Sequence, residues 1–359
     1  MKAHHYIILQ LAIVTGILLT FAGLNILVDP LFQYHRPWFG FKPLIKDKRY
    51  QNAGIARNFD FDYAVVGNSL AENIWQNDLD LAMGGNTVRL TAPGSHPLDW
   101  RLVLGVLKNR RIHPKKLLLN MDPYIFDAST TQLKHSWPLY LYDQNPFNDV
   151  NYLLNFDITW DFTRNVLKKN TRQTFSSFEK LYVWNDFYGR EKILRNVSRV
   201  RISDTDIDDD KYVHNALENI KLLTDFFQEM PETEFIFFCS PFSVLFWDKC
   251  IRNKSFDACK RSYYAIFECL LKYSNVRIYF WNDDELLQWI CDLDYYRDEA
   301  HFDTRVGRGI CERISRKEGL MTAGNYKAEL NRFFVFLTSY QYDNIWEEVK
   351  EKPINKTIP

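Results

Sequence analysis

Residues 62–73 read DYAVVGNSLAEN. Three apolar residues, Ala64, Val65 and Val66, run into Gly67-Asn68-Ser69, and a helical pattern follows over 70–81. A short continuous apolar run closed by a turn signal suits a strand buried on both faces, as in a parallel sheet. A serine then stands at the strand tip, in the tight turn before a helix. Serine is a common N-cap, so one reading is that Ser69 caps that helix. The other is that the turn displays a nucleophilic hydroxyl.

Further short apolar runs occur at 87–90, 116–119, 234–239 and 276–280. Helical patterns fall between and after them, at 97–111, 213–230, 259–273 and 304–316, the last with Asp303 as N-cap. Strands alternating with helices predict an α/β protein, a three-layer doubly wound sandwich around a parallel five-stranded sheet. No strong strand lies between 125 and 212, which reads as an aromatic helical insertion over one edge or mouth of the sheet. The expected organisation is an anchor over 1–30, a connector over 31–55, the α/β domain over 56–320 and a helical tail over 321–359.

Lys+Arg and Asp+Glu both number 45. That balance, with no basic stripe, argues against a nucleic-acid partner. Aromatic residues make up 16% of the chain, enough for a rich core and for sugar-stacking platforms alike. Residues 6–28 are apolar except for Gln10, Thr15, Thr20 and Asn25. The run is longer than the ~7–15 residues of a signal-peptide core, so it predicts an uncleaved, single-pass anchor in the lipid bilayer. Lys2 precedes it, whereas Arg36, Lys42, Lys46, Lys48 and Arg49 follow it. Taken alone, that asymmetry would put the large domain in the cytoplasm, where a lipase would be the reading. All six cysteines lie between Cys239 and Cys311. Cys250 and Cys259 flank a polar loop and are equally compatible with a disulfide and with free thiols. No C-x-x-C pair occurs, and neither a metal nor a cofactor is expected.

Ligands of doubly wound sheets bind beyond the carboxyl ends of the strands. After the successive runs come Ser69, then Gly94 and Ser95, then Asn120, and near the C-terminal end Asp298-x-x-His301. A serine hydroxyl needs a base, and the base needs an orienting acceptor; His301 and Asp298 can supply both from one turn. An oxyanion needs donors, for which the backbone N–H groups of Ser69 and Gly94 and the Asn120 amide are candidates. Asp122 is the competing choice for a structural residue near Asn120. His96 is expected at a rim, the Ser240–Ser243 segment in a cleft wall, and the acidic residues 208–210 in a solvated loop.

Gly67-Asn68-Ser69, Gly94, Asn120 and Asp298-x-x-His301, in this order, resemble the SGNH (GDSL-type) hydrolase superfamily. The anchor followed by NILVDP over 25–30 is similar to its membrane-anchored branch in bacterial envelopes, which includes teichoic acid D-alanine-transfer and alginate acetylation proteins. Gly-Asn-Ser replaces the family's Gly-Asp-Ser, and Asn120 lacks the family's surrounding pattern. The resemblance implies a flavodoxin-like SGNH fold, a Ser69–His301–Asp298 triad and an extracytoplasmic domain. It also implies a serine esterase or O-acyltransferase acting on acyl, notably acetyl, esters of an envelope polysaccharide or other glycan. A non-catalytic scaffold or polymer-binding protein assisting a membrane-bound O-acyltransferase is the alternative.

Overall fold

All five apolar runs are strands. β1 (Tyr63–Val66), β2 (Thr87–Arg89), β3 (Lys116–Met121), β4 (Glu234–Cys239) and β5 (Val276–Tyr279) run parallel in the order β2-β1-β3-β4-β5. Val65, Leu118, Phe237 and Ile278 are fully buried, as strands covered on both faces require. The sheet has six strands rather than the expected five. β6 (Leu320–Met321) adds an antiparallel edge beside β5. It is two residues long and follows Gly319 at φ 73°, too short for any periodicity to reveal. The strand order turns back between β1 and β3, so a crevice is expected at their carboxyl ends.

The computed structural model describes residues 2–41, 47–172 and 188–351. Lys42 and Lys46, which entered the charge asymmetry, lie outside the described residues, as do 173–187 of the expected insertion and 352–359 of the tail. Two compact units emerge: Met1–Asp60, Leu102–Ile112 and His135–Tyr182 form one, and Phe61–Arg101, His113–Lys134 and Val183–Pro359 the other. The sheet belongs to the second.

Two local expectations change. The helix read over 70–81 is a 3-10 turn, Ser69–Asn73, followed by a separate helix, Gln76–Met83. The turn is capped by Asn68, whose side chain accepts the Leu70 N–H at 3.0 Å; Ser69 is not the cap. The acidic residues 208–210 are no loose loop. Asp208 caps the helix Asp209–Glu229 by accepting the Lys211 N–H, while Arg261 pairs with Asp209 and Asp210. Asp303 caps the helix Thr304–Ser315 as read from the sequence.

In the first unit, the N-terminal helix Lys2–Val28 contains the one span among the described residues long and apolar enough to cross a membrane, Ala3–Val28, with a mean hydropathy of 2.3. At 1.5 Å per residue such a span reaches about 39 Å, beyond the ~30 Å of a hydrocarbon core. Its far end is tied down by the two polar residues of the NILVDP stretch. Asn25, fully buried, donates to the Leu153 carbonyl (3.0 Å) and to Thr159 Oγ1 (2.8 Å), while its oxygen accepts from the Thr163 hydroxyl (2.8 Å). Asp29 accepts the backbone N–H groups of Gln33, Tyr34 and His35 and the Tyr152 hydroxyl at 2.7–3.0 Å. Burial nevertheless raises its pKa above the ordinary carboxylate value. The two residues thus lock the helix end and shape the turn that leaves it.

Candidate active site

The serine turn is built on three buried side chains, Asn68, Asn120 and Asp122. Gly67 precedes them because a Cβ there would collide with Asn120 Oδ1. That oxygen accepts the Asn68 N–H at 3.1 Å. Asn120 Nδ2 donates to Asn68 Oδ1 (3.0 Å) and to Asp122 Oδ2 (2.5 Å), and Asn68 Nδ2 donates to the same Asp122 oxygen (3.0 Å). From the loop after β2, the Ser95 hydroxyl donates to the Gly67 carbonyl (3.0 Å) and accepts from Trp100 Nε1 (2.9 Å). Ser95 is therefore structural.

Burial pushes Asp122 up to about 6, against the lowering effect of the Asn68, Tyr124 and Asn120 hydrogen bonds. The folded state holds this proton more tightly than the unfolded chain, so the stability it contributes is full below the ordinary carboxylate value of 3.8 and is lost as pH rises through about 6. Asp122→Asn replaces an acceptor-only group by one oxygen and one NH2, so a donor meets a donor on one side. We expect a loss of about 1–3 kcal/mol at neutral pH by chemical denaturation. The stability of the wild type relative to Asp122→Asn should fall from pH 4 to pH 6; a flat difference would contradict the buried carboxylate.

Ser69 Oγ lies 2.8 Å from His301 Nε2, across 232 residues of sequence. His301 sits on a tight loop closed by the Tyr296–Phe302 bridge and by Arg297 N–H donating to the His301 carbonyl. Within that loop Asp298 Oδ1 accepts the backbone N–H groups of Ala300 and His301, both at 2.9 Å. The carboxylate also meets His301 Nδ1 at 2.8 and 2.9 Å. Burial would raise Asp298, but the His301 ring and these N–H groups outweigh it and bring it down to about 2. An anionic carboxylate at Nδ1 holds the ring proton there and leaves Nε2 as the acceptor facing Ser69.

Contacts on both sides hold the loop in place. The Asn73 amide donates to the Phe302 carbonyl and to the Tyr188 hydroxyl. Gly307 lets the Thr304–Ser315 helix approach the Asn73 carbonyl, where a Cβ would collide. Glu299, between the two motif residues, pairs with Lys249 (2.5 Å) and accepts from the Tyr124 hydroxyl (3.3 Å).

Ser69 and Gly94 line one cleft of about 520 Å³, with His96, Lys134, Tyr124, Tyr212, Phe246 and Lys249 among its walls. Neither the Ser69 nor the Gly94 N–H makes a hydrogen bond to another described residue. Gly94 has φ 68°, which favours glycine. Asn120 is different. It lies below the turn, with both amide hydrogens directed at Asn68 and Asp122. β3 runs on to Met121, so Asn120 pairs with Phe238 inside the sheet instead of following the strand. Of the three oxyanion candidates, the structure brings Ser69 and Gly94 to the cleft and leaves Asn120 as a brace.

Tyr124 packs edge-on to Phe242 (5.2 Å) and Phe246 (5.7 Å), giving the cleft a firm aromatic side. Cys250 and Cys259 are free thiols in the same wall, and the Tyr212 hydroxyl lies 3.5 Å from Cys259 Sγ. Lys134, Lys249 and Tyr124 carry no motif and were invisible in the sequence; Glu299 was in view between Asp298 and His301. Among the described residues, no group of three or more His, Cys, Asp or Glu side chains is arranged to hold a metal ion.

No protein-family model matches the chain. A search of curated proteins also gives no match.

Proposed function

We propose that this chain is a membrane-anchored serine esterase or O-acyltransferase of the SGNH type, acting on acyl esters of a cell-envelope glycan. The observation that carries the reading is the 2.8 Å approach of His301 Nε2 to Ser69 Oγ with Asp298 on the opposite ring nitrogen. A serine, an imidazole and a carboxylate in that relation form the proton path that activates a hydroxyl. The strand order β2-β1-β3-β4-β5 and the position of Ser69 at the end of β1 support the same fold type.

In this reading Ser69 Oγ attacks the ester carbonyl while its proton passes to His301 Nε2. Asp298 stabilises the imidazolium. The backbone N–H groups of Ser69 and Gly94 receive the negative charge on the tetrahedral oxygen. His301 then returns the proton to the leaving alcohol, and an acyl-serine remains. Water or a sugar hydroxyl, deprotonated by the same nitrogen, releases the acyl group. Tyr124 and Tyr212 line the cleft, where aromatic rings can pack against a sugar. By the family resemblance the catalytic unit works on the extracytoplasmic side.

A non-catalytic scaffold is the second reading. It is favoured by the commitment of Asn120 to the turn, which leaves only the two backbone donors for an oxyanion. The purified full chain distinguishes the two. An enzyme releases acetate from an acetylated glycan, and faster release on adding an acceptor glycan marks a transferase. Binding of the glycan without any release supports the scaffold.

A further inference from the structure

We propose that residues 147–168 form an interfacial element that dips into the headgroup and upper acyl region of the bilayer beside the N-terminal helix. The inference takes that helix as membrane-spanning and is independent of the chemistry at Ser69.

Contacts within the first unit set the depth. Phe21 meets Phe156 with ring centroids 6.4 Å apart. Four residues on, Asn25 bonds Thr159 and Thr163. Three further on, Val28 clusters with Val166. The two segments therefore advance in the same direction, and Phe156 lies at the deeper end. Residues 3–20 of the N-terminal helix are exposed throughout, and this stretch is ~27 Å long, close to a hydrocarbon core. Protein begins to cover the helix at Phe21, so the bilayer edge falls near Phe21–Asn25, level with Phe156.

Along the second segment an exposed apolar face runs beside the exposed carboxylates of Asp157 and Asp161. Phe147, Val150, Leu154, Phe156 and Trp160 are all exposed, Phe156 at 60% and Trp160 at 52%. Phe156 and Trp160 stack with centroids 5.9 Å apart. One turn further out, the Arg164 guanidinium lies 4.3 Å from the Trp160 ring centre, and Lys168 follows another turn on. Rings at the deep end and cations at the shallow end match the partition of a lipid interface, where aromatic faces meet acyl chains and guanidinium groups reach phosphates. The Phe21–Phe156 contact makes this patch continuous with the lipid-facing surface of the helix, which identifies the occupant as lipid.

The test uses the full chain in nanodiscs of phosphatidylcholine, with or without bromine near the headgroup end of the acyl chains. Brominated lipid should quench the tryptophan emission. Quenching should fall clearly in Trp160→Phe, with Trp38, also exposed in the first unit, supplying the remainder, and it should be kept in Trp346→Phe, whose ring is buried in the second unit. Trp160→Phe keeps an aromatic ring at an exposed position, and Trp346→Phe gives up one donor to Asp248, which still pairs with Arg199 and Arg252; circular dichroism checks that both variants fold. No quenching, or equal quenching in wild type and Trp160→Phe, would overturn the proposal, whether water or another protein covers the ring.

Discussion

Ser69→Ala is expected to lower ester turnover by about 10⁴-fold or more, the scale on which hydrolases lose activity when the nucleophile is removed. The structural consequence should be negligible. Asn68, not Ser69, caps the 3-10 turn, and the bond of the Ser69 hydroxyl is to His301. Stability should therefore stay within ~0.5 kcal/mol of wild type, as for an exposed or neutral position. The pairing of the two results is what matters. A residue that acted as a helix cap would cost about 1 kcal/mol on truncation and leave turnover untouched. Turnover and denaturation curves on the same preparation separate these cases. Ser69→Ala with wild-type turnover would remove the nucleophile from the account.

Asp298→Asn should reduce kcat by roughly 10³–10⁴-fold with little change in KM. The asparagine can still accept the Ala300 and His301 backbone N–H groups through its one oxygen. Its NH2 must then face His301 Nδ1. That forces the ring proton onto Nε2, which turns the acceptor beside Ser69 into a donor and stops the hydroxyl from losing its proton. A split in which KM rises while kcat is kept would instead make Asp298 a binding residue. The carboxylate also carries a pH signature. Its folded pKa is depressed to about 2 from 3.8, so its stability contribution is present above the unfolded value and disappears as pH falls through about 2. The acid limb of wild-type unfolding should be steeper than that of Asp298→Asn over this window.

The convergence of Ser69 with Asp298 and His301 was legible because each stands where a parallel sheet opens its crevice, and D-x-x-H fits one turn. Gly94 was legible for the same reason, as the glycine after the second apolar run, whereas its positive φ appears only in the fold. Asn120 was placed wrongly because an apolar run marks where a strand is buried, not where its pairing stops. β3 continues through Asn120 and Met121. The same blindness to pairing hid β6, whose two residues gain their strand character from β5. The break of the 70–81 helix goes with the Asn73 contact with Phe302, a product of the tertiary fold. Within the first unit, the polar residues Asn25 and Asp29 were visible as a motif. Their partners Thr159, Thr163 and Tyr152 lie more than 120 residues away and could not be paired in advance.

A fluorophosphonate reports the activated hydroxyl most directly, because it reacts with serine only where a base withdraws the proton. Incubated with the full chain in nanodiscs and mapped by peptide mass spectrometry, it should modify Ser69 in the wild type. The adduct should be absent in Ser69→Ala and strongly slowed in His301→Ala. An unmodified wild-type chain, or an equal adduct in Ser69→Ala, would contradict the account.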